Sequence, residues 1–541
     1  MTDSRILLIG EILKHRSFTG ANKALPVLAS ALHKEGYNAV QMDLEMPGLT
    51  LDDVLREASN PSTMLVAFAG CMTPQLPEID NDAKKVYDYL QTIGRKGTSI
   101  IVGGYASKSI EDVAKQTPCV TAWFNGEGEE GIVKIVNSIS RGTFKQDAPL
   151  IKGLCYVDDS GIFYHSMADR IRNPLFSGID QNFSFAYIPE VHDMDIFKSP
   201  DGRQLKTAQL YTQRGCPWVC GFCDKSTEDP NVARLSEESL MRQLKDLKGK
   251  GFEAIYLDVD TFTVNEKAAR NDARLLKDAG FAWGSNTRID RINKDLMKYL
   301  VDNGCIYMFF GVEHTMPEVS LAIGKFNGSF QSQMRQAEQY PNKVKEVFKH
   351  VKGVGLPSSY FTILGLPKAK LNKDSTSIVG YEPTTLEDDI ASIRFGLQEC
   401  EPDYLNFNML RFMPGSLAAD MPNHPAYECV RPSKEKPITA GYFLPRVAEK
   451  LRYKVPENHG VYRLCESVGM NQPTTTAMDA ERVYRTIKAA MGIINRRIDN
   501  GKTPTRIFFD RDILNEGLVK RETNGKYSIA PLKEFEGLNG K

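Results

Sequence analysis

Three cysteines within eight residues, Cys216, Cys220 and Cys223, are where residue type and spacing point most directly to chemistry. Thiolates at x3 then x2 spacing on a short loop can each ligate one iron of a four-iron, four-sulfur cluster and leave the fourth iron open. Zinc is the main alternative, but a structural zinc site closes its tetrahedron with a second Cys or His pair, and none lies nearby in the sequence. A cluster that only carries electrons is the other. The remaining seven cysteines, at 71, 119, 155, 305, 400, 429 and 465, are scattered. In a reducing compartment this distribution suggests a metal site, not a disulfide framework.

A reactive loop needs a rigid frame, and apolar runs alternating with amphipathic segments supply one on either side of it. Strand candidates at 208–212, 254–259, 282–287, 305–312, 359–364 and 405–410, each separated from the next by a helical segment, predict a partial (β/α)6 barrel with chemistry at the carboxyl ends of its strands. The cysteines follow the first of these strands. Upstream, runs at 5–9, 37–42, 63–69, 98–102 and 120–124, with helical segments such as 22–35, 82–94 and 109–116 between them, predict a doubly wound, Rossmann-like parallel sheet. The loops leaving its strands read Gly70-Cys71-Met72-Thr73-Pro74, Gly103-Gly104 and Asn125-Gly126-Glu127-Gly128-Glu129. Glycine there lets a backbone approach a ligand, and plain turn chemistry is the competing account.

The expected organisation is therefore 1–145 as the Rossmann-like domain, 146–204 as a linker with a small hairpin, 205–417 as the barrel, and 418–541 as a C-terminal mixed α/β unit. That last unit has a helix near 478–500 and strand-like pieces at 506–509 and 527–529. Lys and Arg number 68 and so do Asp and Glu, so no basic excess exists to bind phosphate backbones or anionic membranes, and nucleic acid is not an expected partner. No apolar stretch approaches a membrane span, and no basic region followed by a long apolar one opens the chain; a cytoplasmic protein is expected.

At Cys216-Pro-Trp-Val-Cys220-Gly-Phe-Cys223, with an aromatic residue before the last cysteine, the sequence resembles the radical S-adenosylmethionine superfamily. The resemblance implies that the three cysteines hold a 4Fe-4S cluster, that S-adenosylmethionine chelates its open iron, and that an electron from an external flavodoxin- or ferredoxin-type donor releases a 5'-deoxyadenosyl radical. Asp258 and Asp260 after the second barrel strand, Asn286 and Arg288 on the third, and Glu313 on the fourth look like the family positions that meet S-adenosylmethionine. Leu364-Gly365-Leu366-Pro367 and the run at 412–416 resemble the turns after the fifth and sixth strands.

The N-terminal region is similar to the cobalamin-binding domain that precedes the barrel in one large subclass, which implicates Gly70, Met72, Thr73, Gly103, Gly104, Gly126, Glu127 and Gly128 in holding cobalamin. It lacks the Asp-x-His-x-x-Gly of other cobalamin proteins; His15 and Gly20 stand at the wrong spacing, so the resemblance implies cobalt without a protein histidine below it. Residues 418–541 match nothing familiar. Taken together, the expectation is a cobalamin-dependent radical methyltransferase acting on an unactivated carbon of a small-molecule substrate. A non-methylating rearrangement or cyclisation is the alternative, and a methylthiotransferase, which would need a second cluster held by N-terminal cysteines, fits less well.

Overall fold

The computed structural model describes residues 4–10, 22, 24–44, 48–71, 76–104, 114, 117–164, 166–169, 171, 196–199, 201–223, 225, 230–410, 480–501, 505–508, 519–524 and 526–531. His15, Met72, Thr73 and the run at 412–416 lie outside them.

The first sheet is built from β1 (Arg5–Gly10), β2 (Asn38–Asp43), β3 (Thr63–Cys71), β4 (Ser99–Gly104) and β5 (Ala122–Phe124), parallel and ordered β2-β1-β3-β4-β5. Near-continuous apolar runs such as Ile6, Leu7, Leu8 and Ile9 are fully buried because helices cover both faces. Helices α1 (Ala24–Lys34), α2 (Leu51–Ala58), α3 (Leu76–Thr92) and α4 (Glu129–Ser140) connect the strands. The hairpin expected in the linker, β6 (Leu154–Val157) and β7 (Phe163–Tyr164), pairs antiparallel and extends this sheet beyond β5.

The second sheet runs in chain order through β8 (Thr207–Leu210), β11 (Ala254–Leu257), β12 (Ala282–Arg288), β13 (Cys305–Glu313), β14 (Ser358–Leu364) and β17 (Tyr404–Met409), all parallel. Two short pairs decorate it: β9 (Gln213–Arg214) with β10 (Ala233–Arg234), and the hairpin β15 (Pro367–Leu371) with β16 (Ile378–Pro383). The sheet gains a seventh strand that the sequence reading assigned to the third unit, β18 (Arg506–Phe508), parallel to β17. Helix α11 (Ala480–Asp499) precedes that strand and buries Ile487, Ala490 and Ile494 in the barrel's core cluster. A last antiparallel pair, β19 (Val519–Arg521) and β20 (Tyr527–Ile529), joins the same cluster through Val519 and Tyr527.

Barrel helices start where side-chain oxygens satisfy the first free N–H groups. Ser236 caps α5 (Glu237–Gly249), Asn265 caps α6 (Glu266–Asp278), Asn293 caps α7 (Lys294–Asp302) and Ser329 caps α9 (Phe330–Gly353), which follows the short α8 (Pro317–Ala322). Helix α10 (Leu386–Phe395) begins with a capping box of Thr385 and Asp388. Alternation along the strands sends Leu257, Met308, Phe310 and Leu405 into the core beneath the helices, leaving their neighbours to face the barrel interior. The floor of that interior is closed by the chain preceding β8. Phe197, 2% exposed, packs against Tyr256 and Tyr307, and a Cβ on Gly284 would meet its ring at 2.9 Å. Leu205 N–H donates to the Phe197 carbonyl at 2.8 Å, which ties this plug to the start of β8.

Candidate cluster loop and its buried charge group

The loop carrying the cysteines is pinned where it leaves β8. Gln213 Nε2 donates to the Thr261 carbonyl at 2.5 Å, and Gly215 N–H donates to Asp260 Oδ2 at 2.9 Å. Asp260 also pairs with Lys225, just past the last cysteine, so one carboxylate at the end of β11 ties both sides of the loop. Within it, Cys223 N–H bonds the Cys220 carbonyl at 2.9 Å, and Gly221 N–H reaches the Ile323 carbonyl at 2.8 Å. Phe222 packs with Val319, Ile323, Ile363, Leu366 and Leu410.

Cys216 and Cys220 are each offered a polar contact. Thr261 Oγ1 lies 3.9 Å from Cys216 Sγ, and Arg288 Nη1 donates to Cys220 Sγ at 3.4 Å. Burial pushes both thiols above their ordinary range when no metal offsets it. Arg288 stacks on the Trp218 ring at 4.7 Å, pairs with Asp290 at 2.8 Å and donates to the Lys325 carbonyl at 2.7 Å. Burial works against its charge, but Asp290 and the Cys220 sulfur hold the guanidinium protonated above its ordinary range.

Lys325, 1% exposed, completes the group: its ammonium lies 3.7 Å from Glu313 Oε1 and donates to the Gly311 carbonyl at 3.2 Å. Burial pushes the Glu313 carboxyl up and the Lys325 ammonium down. Glu313 sits at φ 67°, a left-handed conformation that a non-glycine residue holds at a cost of order 1–3 kcal/mol, the kind of strain that clusters at ligand sites. Its second oxygen, Oε2, is buried without a hydrogen-bond partner.

Cys216, Cys220, Asp260, Arg288 and Glu313 are thus linked through one contact chain around the loop. Asp258 accepts from Gln209 Nε2 at 2.8 Å. Asn286 Nδ2 donates to the Val259 carbonyl at 2.6 Å while its Oδ1 is buried without a partner. Lys325 and Asp290 belong to the group and have no signal in the sequence, since a buried lysine in a loop leaves no periodic trace; Thr261 and Trp218, also in the group, stand inside the second-strand and cysteine motifs.

No three His, Cys, Asp or Glu side chains among the described residues converge on one point as a single-ion site requires. A four-iron cluster takes one thiolate per iron, so its ligands stand apart, and the donor set here suits one: three thiols on a pinned loop, a cation on one sulfur and a hydroxyl near another.

On the N-terminal sheet, glycines expected to admit cobalamin have varied surroundings. A Cβ at Gly70 (φ 66°) would meet Asn22 Oδ1 at 2.4 Å, and one at Gly126 (φ 110°) would meet Ala168 at 2.8 Å, so packing within the chain already requires glycine there. Gly128 faces Leu28 at 3.1 Å. At Gly103 a Cβ would find its first neighbour at 3.7 Å, an ordinary contact, and Gly104 lies at φ 122°. Glu127 accepts from Ile171 N–H at 2.8 Å and lies 3.6 Å from Arg214.

Residues 210–373 match the model of the Radical SAM superfamily. An uncharacterized methyltransferase of Pyrococcus horikoshii is 24% identical over 411 residues, 74% of this chain and 77% of that protein. The anaerobic magnesium-protoporphyrin IX monomethyl ester cyclase of Cereibacter sphaeroides is 24% identical over 300 residues, 53% of this chain and 46% of its own length, so the chain spans about half of that relative. Among solved structures, the radical S-adenosylmethionine methyltransferase TsrM from Kitasatospora setae, with cobalamin and a 4Fe-4S cluster bound, superposes with a TM-score of 0.57 at 15% identity over 76% of each chain, a likeness of fold. No described helix is long and apolar enough to cross a membrane.

Proposed function

We propose that this chain, which carries a radical SAM domain, is a cobalamin-dependent radical S-adenosylmethionine methyltransferase that methylates an unactivated carbon of a small molecule. The observation that carries the reading is the cysteine loop: three thiols at the carboxyl end of the first barrel strand, with a buried guanidinium on Cys220 and the unpartnered Glu313 oxygen in the same charge group. The fold shared with TsrM and the methyltransferase relative support it.

In this reading Cys216, Cys220 and Cys223 hold the 4Fe-4S cluster. Asp258, Asn286, Arg288 and Glu313 face S-adenosylmethionine, while Asp260 holds the loop. Gly103, Gly104, Gly70, Gly126, Glu127 and Gly128 belong to the cobalamin edge, as the resemblance also implies for Met72 and Thr73. When bound, the cluster with S-adenosylmethionine supplies a 5'-deoxyadenosyl radical, and cobalamin supplies the methyl group; an external one-electron donor drives the chemistry. The chain's own part is electrostatic and geometric. Arg288 and Lys325 offset the negative charge that three thiolates bring to a buried loop, and Glu313 Oε2 is an acceptor for a hydroxyl or ammonium donor.

The cyclase relative motivates the second reading, a radical reaction without methyl transfer. A second cluster of the methylthiotransferase kind finds poor ligands here. Cys155 is buried in the first sheet's core with its thiol donating to the Ser166 carbonyl at 3.4 Å, and burial pushes both it and Cys119 up to about 11.

The test is anaerobic incubation of reconstituted protein with hydroxocobalamin, methyl-labelled S-adenosylmethionine and dithionite. Methyl transfer predicts both 5'-deoxyadenosine and S-adenosylhomocysteine, the second accompanied by labelled methylcobalamin. The first product alone would favour the second reading, and neither product would refute both.

A further inference from the structure

Glu127 stands in the loop leaving β5 and Glu129 opens helix α4 directly after it, at the carboxyl edge where a doubly wound sheet offers its loops to a ligand. Both carboxylates engage Arg214, which stands on the opposite frame, at the carboxyl end of the first barrel strand and two residues before Cys216. Its Nη1 lies 2.5 Å from Glu129 Oε1 and 3.6 Å from Glu127 Oε2, and its guanidinium covers the Tyr211 ring at 5.5 Å. The side chains are buried or nearly so: 16% exposed for Arg214, 10% for Glu129 and 17% for Glu127.

Each partner is braced from behind. On the sheet side, Asn125 N–H donates to the Gly153 carbonyl at 2.7 Å, Ala168 N–H donates to the Asn125 carbonyl at 3.0 Å, and Glu127 receives Ile171 N–H. On the barrel side, Gln213 is fixed to Thr261 and Gly215 to Asp260. The ion pair is therefore a direct tie between two braced segments, both at the carboxyl edges of parallel sheets. One guanidinium nitrogen serves both carboxylates, a charge-assisted hydrogen bond to Glu129 with Glu127 adding its charge at 3.6 Å, which is directional in a way an apolar contact is not.

We propose that Arg214, Glu127 and Glu129 are positioning residues, forming the joint that holds the cysteine loop at a set separation from the ligand edge of the N-terminal sheet. Its use, keeping a methyl donor on the sheet opposite a substrate in the barrel, rests on the function proposed above; the joint itself does not.

The test is hydrogen–deuterium exchange on the full-length chain without added cofactors, comparing Glu129→Gln, Arg214→Met and Arg214→Lys. Loss of a charge-assisted contact predicts about tenfold faster exchange, and the effect should cross the joint. Glu129→Gln should speed exchange at 213–223, and Arg214→Met should speed it at 125–131. Peptides within β3 and β13 stay unchanged in a folded variant and serve as the control. Arg214→Lys, which restores the charge on a shorter, non-planar head, should recover part of the protection on both sides. Faster exchange confined to the substituted loop, or a lysine variant indistinguishable from the methionine one, would overturn the proposal. No cofactor takes part, so failure here leaves the methyl-transfer reading standing, and failure to cleave S-adenosylmethionine leaves the joint standing.

Discussion

Asp260 was expected to meet S-adenosylmethionine, but its carboxylate is spent on the cysteine loop, accepting Gly215 N–H at 2.9 Å and pairing with Lys225. Replacing it with alanine should therefore loosen the loop before it affects any ligand. A hydrogen bond to a charged acceptor is worth about 1.5–3 kcal/mol and a partly exposed ion pair up to about 1 kcal/mol, so Asp260→Ala should shift the opening equilibrium by roughly 1.5–4 kcal/mol, about 10- to 900-fold. Cys220 reports that opening, since it is 9% exposed and covered by Arg288. Site-resolved alkylation of the metal-free protein, read by mass spectrometry, should show Cys220 reacting faster by that factor, with reconstituted iron lost correspondingly sooner to a chelator. Asp260→Asn keeps an acceptor and should fall between. Asp278→Asn is the control, because its exposed carboxylate pairs with Arg274 along helix α6. Wild-type alkylation rates in Asp260→Ala, or an equal rise in Asp278→Asn, would refute the reasoning.

Changing Cys216, Cys220 and Cys223 together to alanine should abolish iron binding and S-adenosylmethionine cleavage while leaving the circular-dichroism spectrum of the metal-free chain intact, since the loop packs on a barrel whose core lies elsewhere. Arg288→Ala should weaken S-adenosylmethionine binding by about 10- to 150-fold in calorimetry with iron retained, one lost charge-assisted contact's worth. Acid stability should change in Glu253→Gln. The Arg203 fork, with Lys206 N–H, holds the Glu253 carboxyl down at about 2 against an ordinary 4.5. A depressed carboxyl stabilises the fold above its unfolded value, so the wild-type advantage in thermal unfolding should be full above pH 4.5 and fade as pH falls toward about 2.

Much of this architecture was legible in the sequence because parallel strands buried on both faces read as apolar runs. The runs at 63–69 and 305–312 became β3 and β13 almost residue for residue. The piece at 506–509 was legible as a strand, but its place in the barrel was not, because about a hundred residues separate it from β17 and its partner is fixed only by folding. The hairpin of β15 and β16 was missed because the alternation of Pro367-Lys-Ala-Lys-Leu371 is five residues long and only weakly apolar, though Ala369 does enter the core. At the site, the cysteine spacing and the places of Arg288 and Glu313 were readable because motif and strand end coincide. The packing demand on the glycines was not: a Cβ at Gly70 would meet Asn22 and one at Gly126 would meet Ala168, contacts between segments far apart in the chain.

Phe197 changes what counts as a module in this protein. The plug beneath the barrel comes from residues that precede its first strand, and Leu205 hands its N–H back to that plug. A fragment cut at the start of β8 would carry every cysteine and every strand of the barrel's first half, yet would leave Tyr256, Tyr307 and Gly284 around a hole open to water. Graft boundaries that respect the sheet alone would thus yield a barrel that leaks from below. The transferable unit begins before Ile196, so the segment read as a linker is divided: its hairpin β6–β7 stays with the first sheet, and its last stretch, from Ile196 on, is inherited with the barrel.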